Sequence, residues 1–277
     1  MKFAFDVAPL ADLADPLTLV RLAEQAEASG WDGFSTWDTL GLAMDTVAAD
    51  PFVALAGVAA ATERLTLIAS VIVLPRRRPQ LVAQAAATLD VLSGGRLVLG
   101  VGAGGDKPDF TAFHEDWDAA VRVRKMDEAV RIVDGLLRGE TVSNEGPDFP
   151  VDGALLGPRP AQQPRPPIWM GAIRPGGIRR AAHWDGWIAI SVGGDGASLG
   201  MPPDALAERI ALAHETRREA GLDGRPFDVA VFGQAGLGGF TPADYEAAGA
   251  TWWLESVTPQ RGSTADILAI VAAGPPR

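Results

Sequence analysis

Trp37-Asp38-Thr39 sets an indole, a carboxylate and a hydroxyl side by side where a predicted strand (residues 33–37) ends. At the upper rim of a sheet such a trio can hold a flat ligand and move a proton. The alternative is an aspartate that caps the following loop with its own backbone. His114 follows the predicted strand at residues 97–102, and as a histidine, the residue type suited to proton transfer in the physiological range, it is a second candidate acid or base at the same rim. His183 and His214 fall in or near predicted helices, where surface or packing roles are expected. The three histidines share no metal-ligand spacing, and no metal site is expected.

Two stretches have the make-up of ligand-cradling backbone. Gly100, Gly102 and Gly105 satisfy G-x-G-x-x-G after a strand, but Asp106-Lys107-Pro108 intervenes where a dinucleotide fingerprint must open straight onto a helix. Gly102 and Gly104 are therefore read as places where backbone approaches a bound ring or tail. Arg174-Pro175-Gly176-Gly177 starts a predicted helix, and proline at the first turn with open amides behind it suits a phosphate. A well-capped helix without a ligand has the same signature. Arg76-Arg77-Arg78 after the third strand reads either as a solvated basic turn or as positive charge ready for an anion. Of Trp252-Trp253, one indole is expected between sheet and helices and the other towards the mouth.

The elements that must position these groups repeat one unit: amphipathic helix, tight turn, apolar strand. In residues 89–104 a helix stops at Gly94-Gly95, where glycine takes the left-handed cap without a Cβ penalty, and the apolar strand Leu97-Val98-Leu99 follows almost at once. Such strands belong in a parallel sheet covered on both faces. Strands are expected at residues 2–7, 33–37, 65–74, 97–102, 167–171, 186–191, 227–232 and 250–254. Helices follow from about Pro16, Phe52, Leu81, Trp117, Pro175, Pro203, Pro242 and Thr264. Residues 40–49 read as a mouth loop, 193–200 as a second one, and 139–166 as an irregular excursion between the fourth helix and fifth strand. Eight such units with no break in composition point to one α/β domain over residues 1–277, a (β/α)8 TIM barrel with ligands at the C-terminal ends of its strands.

Composition narrows the classes. Hydrophobic residues at 47% suffice for a large core, and charged residues at 21% exclude a disordered chain. A net charge of −11 argues against nucleic acid, and no apolar run is long enough for a membrane helix. The N-terminus reads as a strand rather than a signal peptide. With no cysteine, a reducing cytoplasm is the default location.

In order along the chain, Ala26-Glu27-Ala28-Ser29-Gly30-Trp31-Asp32-Gly33 into Trp37-Asp38, Ala61-Thr62-Glu63-Arg64-Leu65, Leu89-Asp90-Val91-Leu92-Ser93-Gly94-Gly95-Arg96 into Gly100-Val101-Gly102, Pro166-Pro167-Ile168-Trp169 and Asp185-Gly186-Trp187 resemble the bacterial luciferase-like flavin-dependent oxidoreductases (luciferase-like monooxygenases). The resemblance implies a barrel that holds reduced FMN or the deazaflavin coenzyme F420 and works on a small-molecule substrate. A flavin reductase and a homodimer partner are further expectations from it. It also implies a non-proline cis peptide in the third strand, matched here by Ser70-Val71, and a phosphate site over Gly171 to Gly177, with Arg76 to Arg78 for a longer anionic tail. Many relatives carry Asp-His where this chain has Asp38-Thr39, which leaves Asp38, Thr39 or His114 as the acid–base group. The alternative is a non-catalytic flavin-binding barrel or partner subunit. A sugar-phosphate isomerase, with Glu255 as its base, is a third reading.

Overall fold

The computed structural model describes residues 1–190, 201–237 and 239–277. Eight parallel strands close into a barrel: β1 (Lys2–Val7), β2 (Gly33–Thr36), β3 (Thr66–Val73), β4 (Leu97–Gly102), β7 (Ile168–Ala172), β8 (Gly186–Ala189), β9 (Asp228–Gly233) and β10 (Trp252–Val257). Pairing of β1 with β10 closes the ring. The helices are α1 (Pro16–Ala28), α2 (Pro51–Ala61), α3 (Pro79–Leu92), α4 (Pro108–Thr111), α5 (Ala119–Arg138), α6 (Pro175–Ala181), α7 (Pro203–Glu219), α8 (Pro242–Ala247) and α9 (Thr264–Ala272). The excursion contains a small antiparallel hairpin, β5 (Val142–Asn144) with β6 (Val151–Ala154).

Local chemistry explains the boundaries. Asp15 and Asp50 each accept two amides of the turn they precede, with proline in the first helical position behind them. α3 ends as expected: Gly94 and Gly95 have φ of +69° and +86°, and the Gly95 amide closes onto the Asp90 carbonyl at 2.8 Å. Arg96 then donates to the carbonyls of Ala59, Thr62, Leu65 and Ser93. The buried Asp90 carboxylate holds the Gln162 amide and side chain at 2.8 and 2.7 Å, fastening the excursion to the barrel. The contacts of Gly95, Arg96 and Asp90 lie at the end of the barrel where β4 begins.

Alternation along the strands separates two cores. Ala4, Ile68, Val98, Trp169, Ile188, Ala230, Trp252 and Leu254 fill the barrel, while the larger cluster lies between sheet and helices. Here the eighth strand differs from expectation. It runs from Trp252 to Val257, so Trp252 sits at its start, edge-on to Trp169 at 5.7 Å and under the Lys2 ammonium, and plugs the lower barrel instead of facing the mouth. Trp253 lies between sheet and helices against Tyr245, as expected. Residues 40–49 include a 3-10 turn, Leu42–Met44, and a bridge from Ala48 to Leu10. The expected mouth loop at 193–200 lies outside the described residues, as does the end of the predicted strand at 186–191.

Candidate functional site at the barrel mouth

The inner face of the last strand layer carries a group that pattern reading did not single out. Asp6 lies opposite Ser256 on one side and Ser35 on the other in the strand register. Its carboxyl is fully buried. Ser35 donates to Oδ1 at 2.7 Å, Ser70 to the same oxygen at 3.2 Å and Ser256 to Oδ2 at 3.3 Å, and the Ser35 and Ser70 hydroxyls bond to each other. Burial pushes the Asp6 pKa up to about 7, with the three hydroxyls pulling the other way. The signal in the sequence was an acid at an inward position of an otherwise apolar strand, Phe3-Ala4-Phe5-Asp6-Val7. Buried carboxyls are rare enough for that to mark a site.

Beside this polar patch the floor is apolar. Val71, Ile190 and Phe232 are half-buried and pack on the interior cluster. The Ser70–Val71 peptide is cis, at the position the resemblance implies. Val71 explains two of the singled-out glycines: a Cβ on Gly102 would stand 2.7 Å from Val71 Cγ2, and one on Gly171 would stand 2.8 Å from Ile190 Cδ1 and 3.0 Å from Val71 Cγ1. Gly104 has φ +80°, and its Cβ would meet Val73 and Phe110 at 2.7 and 2.9 Å. The direction a Cβ would take at these glycines is filled by the protein's own side chains, so packing within the chain requires glycine at 102, 104 and 171. Arg122 of α5 holds the loop that follows β4, donating to the Ala103 and Gly104 carbonyls while stacking on Trp117 at 3.7 Å.

Two members of the rim trio, Asp38 and Thr39, are bonded to other side chains of the protein. Asp38 is buried and paired twice with Arg77, Nε to Oδ2 at 2.8 Å and Nη2 to Oδ1 at 2.9 Å; Arg76 Nη2 is 3.2 Å from Oδ1 and the Val73 amide donates to Oδ2 at 3.0 Å. Both carboxylate oxygens of Asp38 are engaged with a guanidinium, which ties the end of β2 to the turn after β3. Thr39 donates to Asp109 Oδ2 at 3.1 Å and accepts the Gly41 amide. Asp109, on α4, also takes Arg76 Nη1 at 2.8 Å and the amides of Leu40 and Leu42. This clasp consumes Arg76 and Arg77, whose side chains are 7% and 26% exposed. Only Arg78 of the basic turn is exposed, so a run of three open cations is not present there. Trp37 is half-buried just past the end of β2, and His114 is exposed at φ +57°, beyond α4. Glu255 accepts from Arg261, the Trp253 indole and the Ala235 amide, which removes it as a free base and with it the basis of the isomerase reading.

At the start of α6, Arg174 and Gly176 are exposed and Gly177 is half-exposed. The amides of Gly177 and Ile178 both donate to the Arg174 carbonyl, at 2.9 and 3.0 Å. Pro175 has no amide, so the Gly176 N–H and the Arg174 guanidinium are what this turn can offer an anion. A Cβ on Gly176 would meet nothing within 4 Å.

The eight parallel strands form a closed α/β barrel whose mouth has a polar and an apolar half-floor. The chain belongs to the luciferase-like monooxygenase family, whose model matches residues 2–255. An uncharacterized protein of Mycobacterium tuberculosis is 30% identical over 259 residues, covering 87% of this chain and 83% of its own length. An F420-dependent glucose-6-phosphate dehydrogenase of Microbacterium testaceum is 34% identical over 161 residues, 57% of this chain and 45% of that protein. In fold, the chain is similar to the monooxygenase RslO1 from Streptomyces bottropensis, with a TM-score of 0.79 at 20% identity over 98% of this chain and 96% of the other.

Proposed function

We propose that this protein is an oxidoreductase that binds reduced FMN or the deazaflavin F420 at the barrel mouth and acts on a small apolar organic substrate. The observation that carries the reading is the divided floor: Asp6, Ser35, Ser70 and Ser256 on one side, Val71, Ile190 and Phe232 on the other. A flat ring with one polar edge fits such a surface, and a sugar does not use its apolar half. The Arg174 guanidinium and the Gly176 amide are the groups for the ligand's phosphate, with Gly177 letting the turn close beside them. When bound, a reduced ring of this kind supplies a hydride or, for FMN, electrons for oxygen chemistry.

The rim supports the apolar substrate class. Leu40, Leu42, Phe113, Ile173, Leu237 and Phe240 are exposed on segments that follow β2, β4, β7 and β9. Apolar side chains gathered at a mouth favour an apolar guest. No described helix is long and apolar enough to cross a membrane. Where FMN is the ligand, a separate flavin reductase supplies its reduced form.

The experiment is anaerobic titration of the apo-protein with reduced FMN and, separately, reduced F420. Preference for FMN directs the work to oxygen-dependent turnover, and preference for F420 to hydride transfer. Binding without turnover on an apolar substrate panel would favour the non-catalytic reading; binding of neither cofactor overturns the proposal.

A further inference from the structure

We propose that Asp6 is the proton-holding group of the mouth and that it acts through the Ser70 hydroxyl on an anionic centre of the bound reactants. The inference deepens the reading of the mouth as a reduced-flavin site and rests on it. Three features of the geometry support it.

First, among the described residues no cation bonds to Asp6. β2, β3 and β10, packed against it, present Ser35, Ser70 and Ser256; of the charged groups on the segments that follow the strands, Asp38, Asp109, Arg76 and Arg77 are bonded to one another and Glu255 to Arg261. A carboxylate at 0% exposure with three hydroxyl donors and no cation is far less favoured than one in water, so the neutral acid is within reach at ordinary pH. Secondly, the rim groups are engaged elsewhere. Asp38 is bonded to Arg76 and Arg77, and the Thr39 hydroxyl donates to Asp109 and accepts the Gly41 amide.

Thirdly, the hydroxyls form a path. Ser70 touches both Asp6 Oδ1 and Ser35, and it neighbours Val71 of the apolar half-floor. A hydroxyl both donates and accepts, so it can pass a proton while keeping its own count. In the neutral acid the bond between Asp6 and Ser70 runs from the carboxyl O–H to Ser70 Oγ, which frees the Ser70 hydrogen for an acceptor at the mouth. In the step, the carboxyl proton moves to Ser70 Oγ as the Ser70 hydroxyl proton leaves to that acceptor. Asp6 becomes the carboxylate, Ser70 is unchanged, and the acceptor gains one proton. No electrons move in this step, and solvent returns the proton after release of product. A site that delivers a hydride leaves an anion to be protonated, which is the demand such a store meets. Asp6 is thus a positioning residue in the sense that it acts through Ser70.

The test has two arms. In the first, the infrared carbonyl band of a protonated carboxylic acid is followed in the protein alone as pH rises through neutrality. Wild type should lose a band that Asp6→Asn, an isosteric change able to bond all three hydroxyls, never shows. Absence of such a band overturns the proposal. In the second, the midpoint potential of bound FMN or F420 is measured against pH. The wild-type slope should break at the pKa of the acid, and the break should be lost in Asp6→Asn and in Ser70→Ala, while Ser70→Ala keeps the infrared titration. A break that survives both substitutions overturns the relay. Should neither cofactor bind, the function assigned to the mouth fails and the relay with it, whereas the infrared arm still reports on the acid by itself. Ser70→Ala carries the second arm if Asp6→Asn does not fold.

Discussion

Arg77 grips Asp38 with two parallel hydrogen bonds, 2.8 Å from Nε to Oδ2 and 2.9 Å from Nη2 to Oδ1, and the same Nη2 also reaches Asp50 Oδ2 at 2.8 Å. One guanidinium thereby links the end of β2, the turn after β3 and the cap of α2. Asp38→Ala leaves the nearly buried Arg76 and the partly buried Arg77 without their shared carboxylate. Removing one partner of such a pair costs about 3–5 kcal/mol. Urea unfolding should show a loss of that size for Asp38→Ala and a smaller one for Arg77→Ala, whose side chain is 26% exposed. Equal, small losses would mean that the clasp contributes little to stability.

Asp6 makes stability depend on pH in the sense opposite to an ion-paired carboxylate. Its folded pKa of about 7 exceeds the 3.8 of a solvated aspartate, so the folded chain holds the proton more tightly than the unfolded chain. Its contribution is complete below pH 3.8 and is lost as pH rises through about 7. Over that window the loss is about 4 kcal/mol. Asp6→Asn has no such loss. The difference in unfolding free energy should shift in the variant's favour across the window and level off above it, as measured by urea unfolding at a series of pH values. A difference that stays flat with pH would assign Asp6 an ordinary pKa.

Gly176 separates ligand binding from folding. A side chain there meets open space, so Gly176→Ala should leave stability within about 0.5 kcal/mol, as for other unconstrained surface changes. Gly176→Asp places a negative charge where the phosphate is proposed, and affinity for the reduced cofactor should fall at least about ten-fold, or 1.4 kcal/mol. Fluorescence titration of both variants checks this. Unchanged affinity in Gly176→Asp moves the phosphate site elsewhere.

Gly102 tests the floor. Its new Cβ in Gly102→Ala would lie 2.7 Å from Val71 Cγ2, so Val71 must shift or the strand must. Overpacking of this kind costs about 1–3 kcal/mol. A lower Tm together with weaker cofactor binding is expected; a lower Tm with binding intact would separate Val71 from the ligand surface.

Much of the fold was legible because it is written in local chemistry. Asp15-Pro16 and Asp50-Pro51 cap helices, Gly94-Gly95 stops one, and apolar strands separate them at a regular interval, so the barrel and most element positions could be read directly. The site was less legible, and the reason differs by residue. Asp38 and Thr39 look like free chemical groups in sequence, but Arg76, Arg77 and Asp109 engage them in space. The α4 helix and its Asp109 sit in a segment with no periodicity to reveal them. The Leu89-to-Arg96 signature that points most specifically to the family fastens loops at the opposite end of β4 from the mouth. In such barrels that end carries stability, whereas chemistry belongs to the other.

The amino-acid sequence alone determined the alternation of apolar strands with capped helices, and through it a closed parallel barrel of a recognisable family. Tertiary structure decided which polar groups are available at the mouth. Asp6 and Ser256 are 250 positions apart and become neighbours only when β1 pairs with β10 to close the ring. Closure removes Asp6 from water and surrounds it with hydroxyls in place of cations, and desolvation then raises its pKa. A pattern along the chain carries hydrophobicity and local caps, but solvation and counter-charge are properties of the assembled interior.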